Sequence, residues 1–184
     1  KEWSKLGIDI LLGAPTDKVM DAMQVQFLPN NLMTALDSSN HNNNLVLSKT
    51  NLYEFNQIAP EKSWFNPLIF FSVLLLVIVA LDFSKNKLAA AFLHGFDGLL
   101  FFFIGASGIL LVFMWFGTDH AMCKNNYNLL WAWPTHAIAA FFIHSKKSWL
   151  KKYLLLTIAG LLIVTATWIF LPQQLNLSLL PVCL

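Results

Sequence analysis

The sequence predicts an all-α membrane protein, a polytopic helical bundle of four spans with the start of a fifth at the C terminus and a small mixed extracytoplasmic N-terminal segment. Three observations lead to this fold class. Of the 184 residues, 57% are hydrophobic and only 12% are charged, whereas soluble domains carry about 25% charged residues. The apolar residues gather into long stretches. Phe and Trp are frequent, with 16 and 7 copies, as is typical of lipid-facing helices and interfacial belts.

Four apolar stretches approach the roughly 20 residues that a helix needs to cross the hydrocarbon core. They predict a transmembrane domain at 64–184 with spans at about 65–81, 93–116, 129–143 and 149–171, and a fifth span starting at 177. Asn66 is the expected N-cap of the first span. Pro67 follows at the first helical position, where a missing N–H costs nothing. Ser148 is expected to cap the fourth span and Pro172 to end it.

Residues 1–63 differ from the rest in composition, since they carry 12 of the charged side chains. The predicted elements are a helix over 17–28 ended by Pro29, a helix over 31–37 capped by Asn30, a turn tract over 38–44, and a hairpin with strands at 45–47 and 51–55. About 60 residues with so few apolar anchors make a poor independent core. We therefore expect this segment to be the end of a larger extracytoplasmic domain, and the chain to be part of a longer protein.

The placement of lysines predicts the orientation in the membrane. The loops 82–91 and 144–152 carry six lysines together, whereas the loop 117–128 carries only Lys124. The positive-inside rule puts the lysine-rich loops in the cytoplasm. The N-terminal segment and the loop 117–128 then lie outside.

The charge balance excludes some classes of partner. A net charge of +2 gives no basis for nucleic-acid binding, and all 12 basic residues are lysines. An arginine fork for phosphate or carboxylate is therefore absent. Cys123 and Cys183 could form a disulfide only if they met on one side of the membrane, and we expect none. No cofactor and no metal are predicted.

Polar residues inside spans are costly and usually meaningful. His94 and Asp97 lie three positions apart on the second span, and His136 lies in the third. His94 and Asp97 could form a proton or ion relay, or polar contacts that hold the second span to the bundle. We favour the contacts. On the lysine-rich side, His144 and the lysines are expected to serve topology and anionic lipid headgroups.

The densest polar cluster lies at the outer surface. Its candidate site residues are Asp119, His120, Asn126, Asn128, Trp131 and Pro134. Helix capping alone could also explain the Asn and Asp residues. Asp119, His120 and His136 could ligate a metal, but no HExxH motif is present. Cys123 with His120 could form a thiol nucleophile, but nothing in the loop predicts a rigid platform for it.

The run from Phe96 to His136 resembles the transmembrane domain of the Lnb-like lipoprotein N-acyltransferases of Bacteroidota. The matching positions are Asp97, Thr118-Asp119-His120, Asn126-x-Asn128-Leu129-Leu130-Trp131 and Pro134. The upstream stretch 6–36 resembles the end of the periplasmic domain of that family. Its matching positions are Gly7, Asp9, Gly13, Asp17 and Phe27-Leu28-Pro29.

The resemblance implies a multi-pass protein of the bacterial inner membrane with a periplasmic N-terminal segment. Its expected activity is transfer of an acyl chain from a membrane phospholipid to the N-terminal Cys amine of a bacterial lipoprotein substrate. The expected catalytic Cys and His lie upstream of Lys1, so no catalytic residue is expected within this chain. Asp119, His120, Asn126 and Asn128 are expected to seat the periplasmic domain or a donor headgroup. Trp131 is expected at the boundary between acyl chain and headgroup.

Two other functions remain open at this point. The chain could be a non-enzymatic scaffold subunit of a larger membrane complex in the cell envelope. It could also be a transporter with His94 and Asp97 as a relay, although no internal repeat is visible in the sequence.

The predicted topology can be tested with a cysteine introduced at Ser145. A membrane-impermeant thiol reagent should leave it unlabelled in intact cells, because the loop 144–152 is predicted to be cytoplasmic. Labelling of that cysteine before lysis would overturn the orientation.

Overall fold

The computed structural model describes residues 7–38, 40–41, 43–44, 50 and 65–184. The chain divides into two compact units, one formed by Lys1–Asp17 with Trp64–Leu184 and the other by Lys18–Ser63. The described residues 7–17, here called the N-terminal segment, thus pack with the predicted transmembrane domain.

In the second unit, a 3₁₀ turn at Gln24–Phe27 is followed by helix α1, Pro29–Ser38. The predicted helix over 31–37 is therefore confirmed, but the one over 17–28 is wrong. In its place the Asp21 carboxylate accepts hydrogen bonds from the backbone N–H groups of Met23 (2.9 Å) and Gln24 (2.7 Å). Local bonds of this kind compete with helix formation, and helical spacing of apolar residues alone does not reveal them.

Pro29 begins α1 rather than ending a preceding helix. A proline is tolerated in the first turn because its N–H would have no partner there. The carbonyl of Leu28 accepts from the N–H groups of Asn31 and Leu32, at 3.0 Å each. Asn30 accordingly lies within the helix and is not its cap, contrary to the prediction.

Two short strands, β1 (Asn40–His41) and β2 (Asn43–Asn44), pair antiparallel inside the predicted turn tract 38–44. The predicted hairpin strands at 45–47 and 51–55 lie outside the described residues.

Within residues 65–184, the helices in chain order are α2 (Pro67–Asp82), α3 (Lys87–Phe116), α4 (His136–Ala140), α5 (Ser148–Thr167) and α6 (Leu180–Cys183). Two helices are long and apolar enough to cross a membrane: α3, and α5 with the 3₁₀ turn that extends it to Phe170. Helix α2 is apolar but shorter. The count of four spans stays a prediction.

The helix starts follow local capping chemistry. The Asn66 side chain accepts from the N–H of Leu68 at 3.0 Å, so the predicted cap of α2 is confirmed. Helix α3 starts at Lys87 rather than at 93, because the Asn86 side chain accepts from the N–H of Leu88 at 2.9 Å. Ser148 is the first residue of α5 and makes no capping bond, contrary to the prediction.

The end of α5 and the C-terminal elements agree with the sequence. Helical structure stops at Phe170, just before Pro172. It resumes with a 3₁₀ turn at Leu177–Leu179, where the Asn176 side chain accepts from the N–H of Ser178 at 2.9 Å. Helix α6 continues from that turn, so helical structure begins at 177 as predicted, while the fifth span itself stays a prediction.

The predicted third span is not one continuous helix. Residues 129–143 contain the end of a 3₁₀ turn (Tyr127–Leu130), an irregular stretch around Pro134, and the short helix α4. Pro134 has no N–H to donate and restricts the residue before it. Irregular backbone is tolerated in a membrane domain where protein buries it. Trp131 is 5% exposed and Ala132 is fully buried, so the first part of the irregular stretch meets this condition.

Helix α3 packs against this irregular stretch and α4 through two glycines. A Cβ at Gly105 would lie 2.0 Å from the backbone N of Ala137, and a Cβ at Gly108 would lie 2.1 Å from the carbonyl oxygen of Ala132. Only glycine permits so close an approach of two backbones. These contacts position the loop 121–135 against α3.

The buried core lies at one end of the unit. It joins α3, the stretch after the 3₁₀ turn, the end of α5 and the C-terminal elements through Leu111, Trp131, Ala132, Val164, Trp168, Leu175, Leu179 and Cys183. Large apolar side chains elsewhere stay exposed; Phe103 is 63% and Ile163 is 65% exposed. Such extended apolar surface is unusual for a soluble monomer and suits contact with lipid.

The helix contact can be tested with three matched substitutions. Gly105→Ala and Gly108→Ala should each destabilise the protein by about 1–3 kcal/mol, because the added methyl group meets backbone atoms. Gly95→Ala is the control, since its Cβ would have nothing within 4 Å and alanine favours a helix. Thermal unfolding in detergent is the measurement. Equal unfolding temperatures for all three variants would contradict this packing.

Candidate functional site

Three buried side-chain amides, Asn126, Asn128 and Gln173, form the candidate site, called the amide cluster. They are 2–3% exposed. All three donate hydrogen bonds to backbone carbonyls of the N-terminal segment. The chain thus brings together residues that are more than a hundred positions apart.

Asn126 and Asn128 share one acceptor. The Asn126 Nδ2 donates to the carbonyl oxygen of Ile10 at 2.8 Å, and the Asn128 Nδ2 donates to the same oxygen at 3.1 Å. A carbonyl has two lone pairs, so it can accept both bonds. The Asn126 Oδ1 accepts in turn from the backbone N–H (2.9 Å) and the Nδ2 (3.0 Å) of Asn128. The two side chains therefore fix each other as well as Ile10.

Gln173 joins three stretches of chain. Its Nε2 donates to the carbonyl of Leu12 at 2.7 Å, and its Oε1 accepts from the N–H of Tyr127 at 2.7 Å. Gln173 is not among the site residues that the sequence predicts. Its one sequence signal is a polar amide placed directly after Pro172, where the apolar run ends.

Backbone pairing continues the contact beyond the amide cluster. The N–H of Gly13 donates to the carbonyl of Met122 at 2.8 Å, and the N–H of Ala14 donates to the carbonyl of Asn125 at 3.2 Å. A Cβ on Gly13 would lie 1.9 Å from the Lys124 carbonyl oxygen. Asn125 has a φ of 51°, a left-handed conformation that asparagine tolerates better than most residues. Glycine and asparagine thus meet steric demands at this contact.

Two acidic side chains hold the N-terminal segment to the chain after α5. The Asp17 Oδ2 accepts from the backbone N–H of Gln174 at 2.8 Å, and the Asn176 Nδ2 donates to the Asp9 Oδ1 at 3.3 Å. Ile10 and Leu11 pack against the apolar core. Polar and apolar contacts therefore act on the same short segment.

Trp131 connects the amide cluster to the buried apolar core. Its indole Nε1 donates to the Asn128 Oδ1 at 3.0 Å, and the residue is only 5% exposed within the core. This burial leaves little of the ring free to meet a lipid headgroup at the surface. Pro134 lies at the close approach to Gly108, where its backbone N would be 2.9 Å from an added Cβ. Both residues position the loop.

Asp119 and His120 lie apart from these contacts. Both side chains are exposed. The backbone N–H of His120 donates to the Thr118 hydroxyl at 3.4 Å, and that hydroxyl donates to the carbonyl of Met114 at 2.7 Å. Cys123 is a buried free thiol. The structure therefore groups Asn126, Asn128 and Trp131 but leaves Asp119 and His120 at the solvent-exposed edge of the same loop.

His136 is buried and belongs to a separate hydrogen-bond network. Its Nδ1 lies 2.6 Å from the Tyr153 hydroxyl, which lies 2.9 Å from the Thr135 hydroxyl. The ring stacks on Trp133 with centroids 5.6 Å apart and meets the edge of Phe101 at 5.1 Å. A histidine held in this way links α4 to α5.

His94 contacts His144 rather than a partner on its own helix. The two rings stack with centroids 3.1 Å apart, and the His144 Nε2 lies 2.6 Å from the carbonyl oxygen of His94. The Asp97 carboxylate interacts electrostatically with both histidines and with Asp82. It also faces a mainly apolar groove of about 640 Å³ between α2, α3 and α6. The geometry fits polar contacts that tie α3 to the chain after α4.

Metal binding finds no support in the described part of the chain. No group of three or more His, Cys, Asp or Glu side chains within it could hold a metal ion. His136 is committed to Tyr153, whereas Asp119 and His120 lie on the exposed loop.

Comparison with known proteins gives one finding. A family model described as the Lnb transmembrane domain matches residues 59–184. No curated protein and no solved structure matches the chain. The match covers all of the helices α2 to α6 and identifies the chain as a membrane protein with transmembrane helices.

The amide cluster can be tested with Asn128→Asp. This change removes both amide donors and places a carboxylate oxygen against the Ile10 carbonyl. A buried group left without its partner costs about 1–3 kcal/mol. The N–H groups of Gly13 and Ala14 should then exchange with deuterium roughly 5- to 150-fold faster.

Asn86→Asp is the matched control, because aspartate caps a helix as well as asparagine does. It should leave the exchange of Gly13 and Ala14 unchanged. Unaltered protection in Asn128→Asp would mean that the amide cluster does not hold the N-terminal segment.

Proposed function

The chain belongs to the Lnb family through its transmembrane domain, and we propose that it is the membrane domain of a lipoprotein N-acyltransferase. The enzyme moves an acyl chain from a phospholipid to the N-terminal Cys amine of lipoproteins. The membrane domain anchors and positions a catalytic periplasmic domain. The observation that carries this proposal is the N-terminal segment bound to the amide cluster.

The chemistry needs a nucleophile in the periplasmic domain. Its thiolate attacks the ester carbonyl of the phospholipid, a thioester forms, and the lysophospholipid leaves as an alcohol after taking up a proton. The free α-amine of the lipoprotein then attacks the thioester, an amide forms, and the thiol is released. Within this chain Cys123 and Cys183 are both buried. Neither suits a nucleophile that must reach two lipid substrates.

The membrane domain contributes to such a reaction by positioning the catalytic nucleophile relative to its lipid substrates. Donor and acceptor both reside in the outer leaflet of the inner membrane, so the nucleophile must stay at a fixed height above it. Correct placement of reacting groups is worth several kcal/mol of activation free energy, and a displacement of about 1 Å can cost roughly 100-fold in rate. The N-terminal segment is held by side-chain amides, backbone pairing and apolar packing. It therefore suits a rigid link to the catalytic domain.

Asp119 and His120 have a different place in the proposal. They are exposed on the loop beside the amide cluster, where a donor headgroup or the periplasmic domain itself can reach them. A carboxylate and an imidazole can together bind the amine and phosphate groups of a phospholipid headgroup. We place the loop 117–128 and the N-terminal segment on the periplasmic side, in agreement with the lysine distribution.

The proposal is tested in the full-length protein with Asn128→Asp. Membranes carrying this variant should convert a diacylated reporter lipoprotein to the N-acylated form roughly 10- to 100-fold more slowly, because the catalytic domain loses its fixed position. Mass spectrometry of the reporter's N-terminal peptide measures the product. Asn86→Asp should match the unaltered protein at equal abundance.

Two outcomes contradict the proposal. Normal N-acylation by Asn128→Asp would show that the amide cluster does not position the enzyme. An unaltered full-length protein without N-acylation activity would favour a scaffold subunit in an envelope complex.

The double variant Asp119→Ala/His120→Ala should also lower the rate of N-acylation. Wild-type activity of this variant would remove these two residues from the site and leave the amide cluster in place.

A further inference from the structure

A second groove, of about 400 Å³, lies where the loop before α5 meets the first turns of that helix. Helix α5 has 20 residues and is about 30 Å long, and the amide cluster lies beyond its other end. The groove is thus remote from the candidate site. Its polar part is lined by Lys146, Lys147 and Lys151, and its apolar part by Leu154, Leu155 and Ile158.

The lysines and the apolar residues follow one another along the same face of α5. Lys147, Lys151 and Leu155 are four positions apart in turn, and Leu154 and Ile158 have the same spacing. Residues four apart on a helix are neighbours on its surface. The groove therefore has a cationic end formed by the lysines, here called the mouth, and an apolar end formed by Leu154, Leu155 and Ile158, here called the trough. Leu155 is 58% and Ile158 is 55% exposed, so the trough stays open on one side.

No carboxylate is among the residues that form the groove, so the positive charge of its mouth is not neutralised there. The Lys147 ammonium lies 4.2 Å from the centre of the Phe142 ring, which leaves its charge in place. Helix α5 also begins without a side-chain cap, so its first N–H groups add partial positive charge there. The Ser145 hydroxyl is buried and has no hydrogen-bond partner in the described part of the chain. Lys147 and Lys151 are four positions apart, so their like charges repel one another, and an anion between them would relieve that repulsion.

We infer that this groove binds an anionic phospholipid. The phosphate lies among Lys146, Lys147 and Lys151, and one acyl chain follows the trough along Leu155 and Ile158. A free phosphate or an acidic protein segment would use the lysines but would leave the apolar trough empty. Basic pockets at the cytoplasmic end of transmembrane helices bind anionic headgroups in this manner. The inference does not depend on the proposed acyltransferase function.

Topology alone does not explain this arrangement. Lys85 and Lys87 serve the positive-inside rule equally well, yet neither lines the groove. Lys152 is adjacent to Lys151 in sequence and is also outside it. These three lysines are therefore matched controls of the same charge on the same side of the membrane.

The test is native mass spectrometry of the purified chain in detergent, titrated with phosphatidylglycerol and with phosphatidylcholine of the same acyl chains. We expect phosphatidylglycerol to bind on the order of 10- to 100-fold more tightly, since each lysine near a headgroup contributes several-fold. The variant Lys146→Gln/Lys147→Gln/Lys151→Gln should bring the ratio close to one. The controls Lys85→Gln/Lys87→Gln and Lys152→Gln should keep it.

Further measurements separate the headgroup from the chain. Ile158→Ser should weaken binding of both lipids, and glycerophosphoglycerol, the headgroup without acyl chains, should fail to compete. Thermal unfolding confirms that the variants fold. If the triple variant is unstable, Lys151→Gln alone should lower the preference several-fold. Equal affinity for both lipids, competition by the headgroup alone, or an equal loss in the control variants would overturn the inference.

Discussion

The carbonyl oxygen of Ile10, which accepts from both Asn126 and Asn128, is the contact on which the rest of the candidate site depends. While their Nδ2 groups bind this oxygen, their side-chain oxygens bind other partners. The Asn126 Oδ1 caps the following 3₁₀ turn, and the Asn128 Oδ1 accepts from the indole of Trp131. Trp131 in turn lies in the core with Val164 and the other buried apolar residues. One backbone acceptor therefore links the N-terminal segment, the loop and the helix ends.

Burial explains why these bonds must form together. Burying a side-chain amide in an apolar environment without a hydrogen-bond partner costs several kcal/mol of folding free energy. Little water is available inside a membrane domain to replace the partner. Bonds in such a network also strengthen one another. The amide cluster therefore determines where the N-terminal segment lies more than how stable the unit is. Ile10 and Leu11, which pack against the core, add the apolar contribution that polar bonds alone do not give.

The sequence was informative for the long apolar helices, misleading in the polar stretch around Asp21, where local side-chain bonds replace a helix, and silent where structure depends on distant backbone. The apolar helices and the Asn66 cap could be predicted, because the signals lie within the elements themselves. The break in the third span could not, since it depends on Gly105 and Gly108 drawing another stretch against α3. Asn126 and Asn128 could be singled out as polar groups in an apolar setting. Their partner could not, because a backbone carbonyl such as that of Ile10 has no sequence signature.

The close approach at Gly13 has a mechanical consequence. The N–H of Gly13 donates to the carbonyl of Met122, and the Lys124 carbonyl leaves no room for a side chain at Gly13. The N-terminal segment is therefore held in a fixed position against the loop. At the start of this segment Gly7 has a φ of 72°, a left-handed conformation that glycine adopts without strain. Because this segment is bonded both to the loop 121–135 and to the chain after α5, any displacement of the segment would have to move both of those stretches or break their bonds.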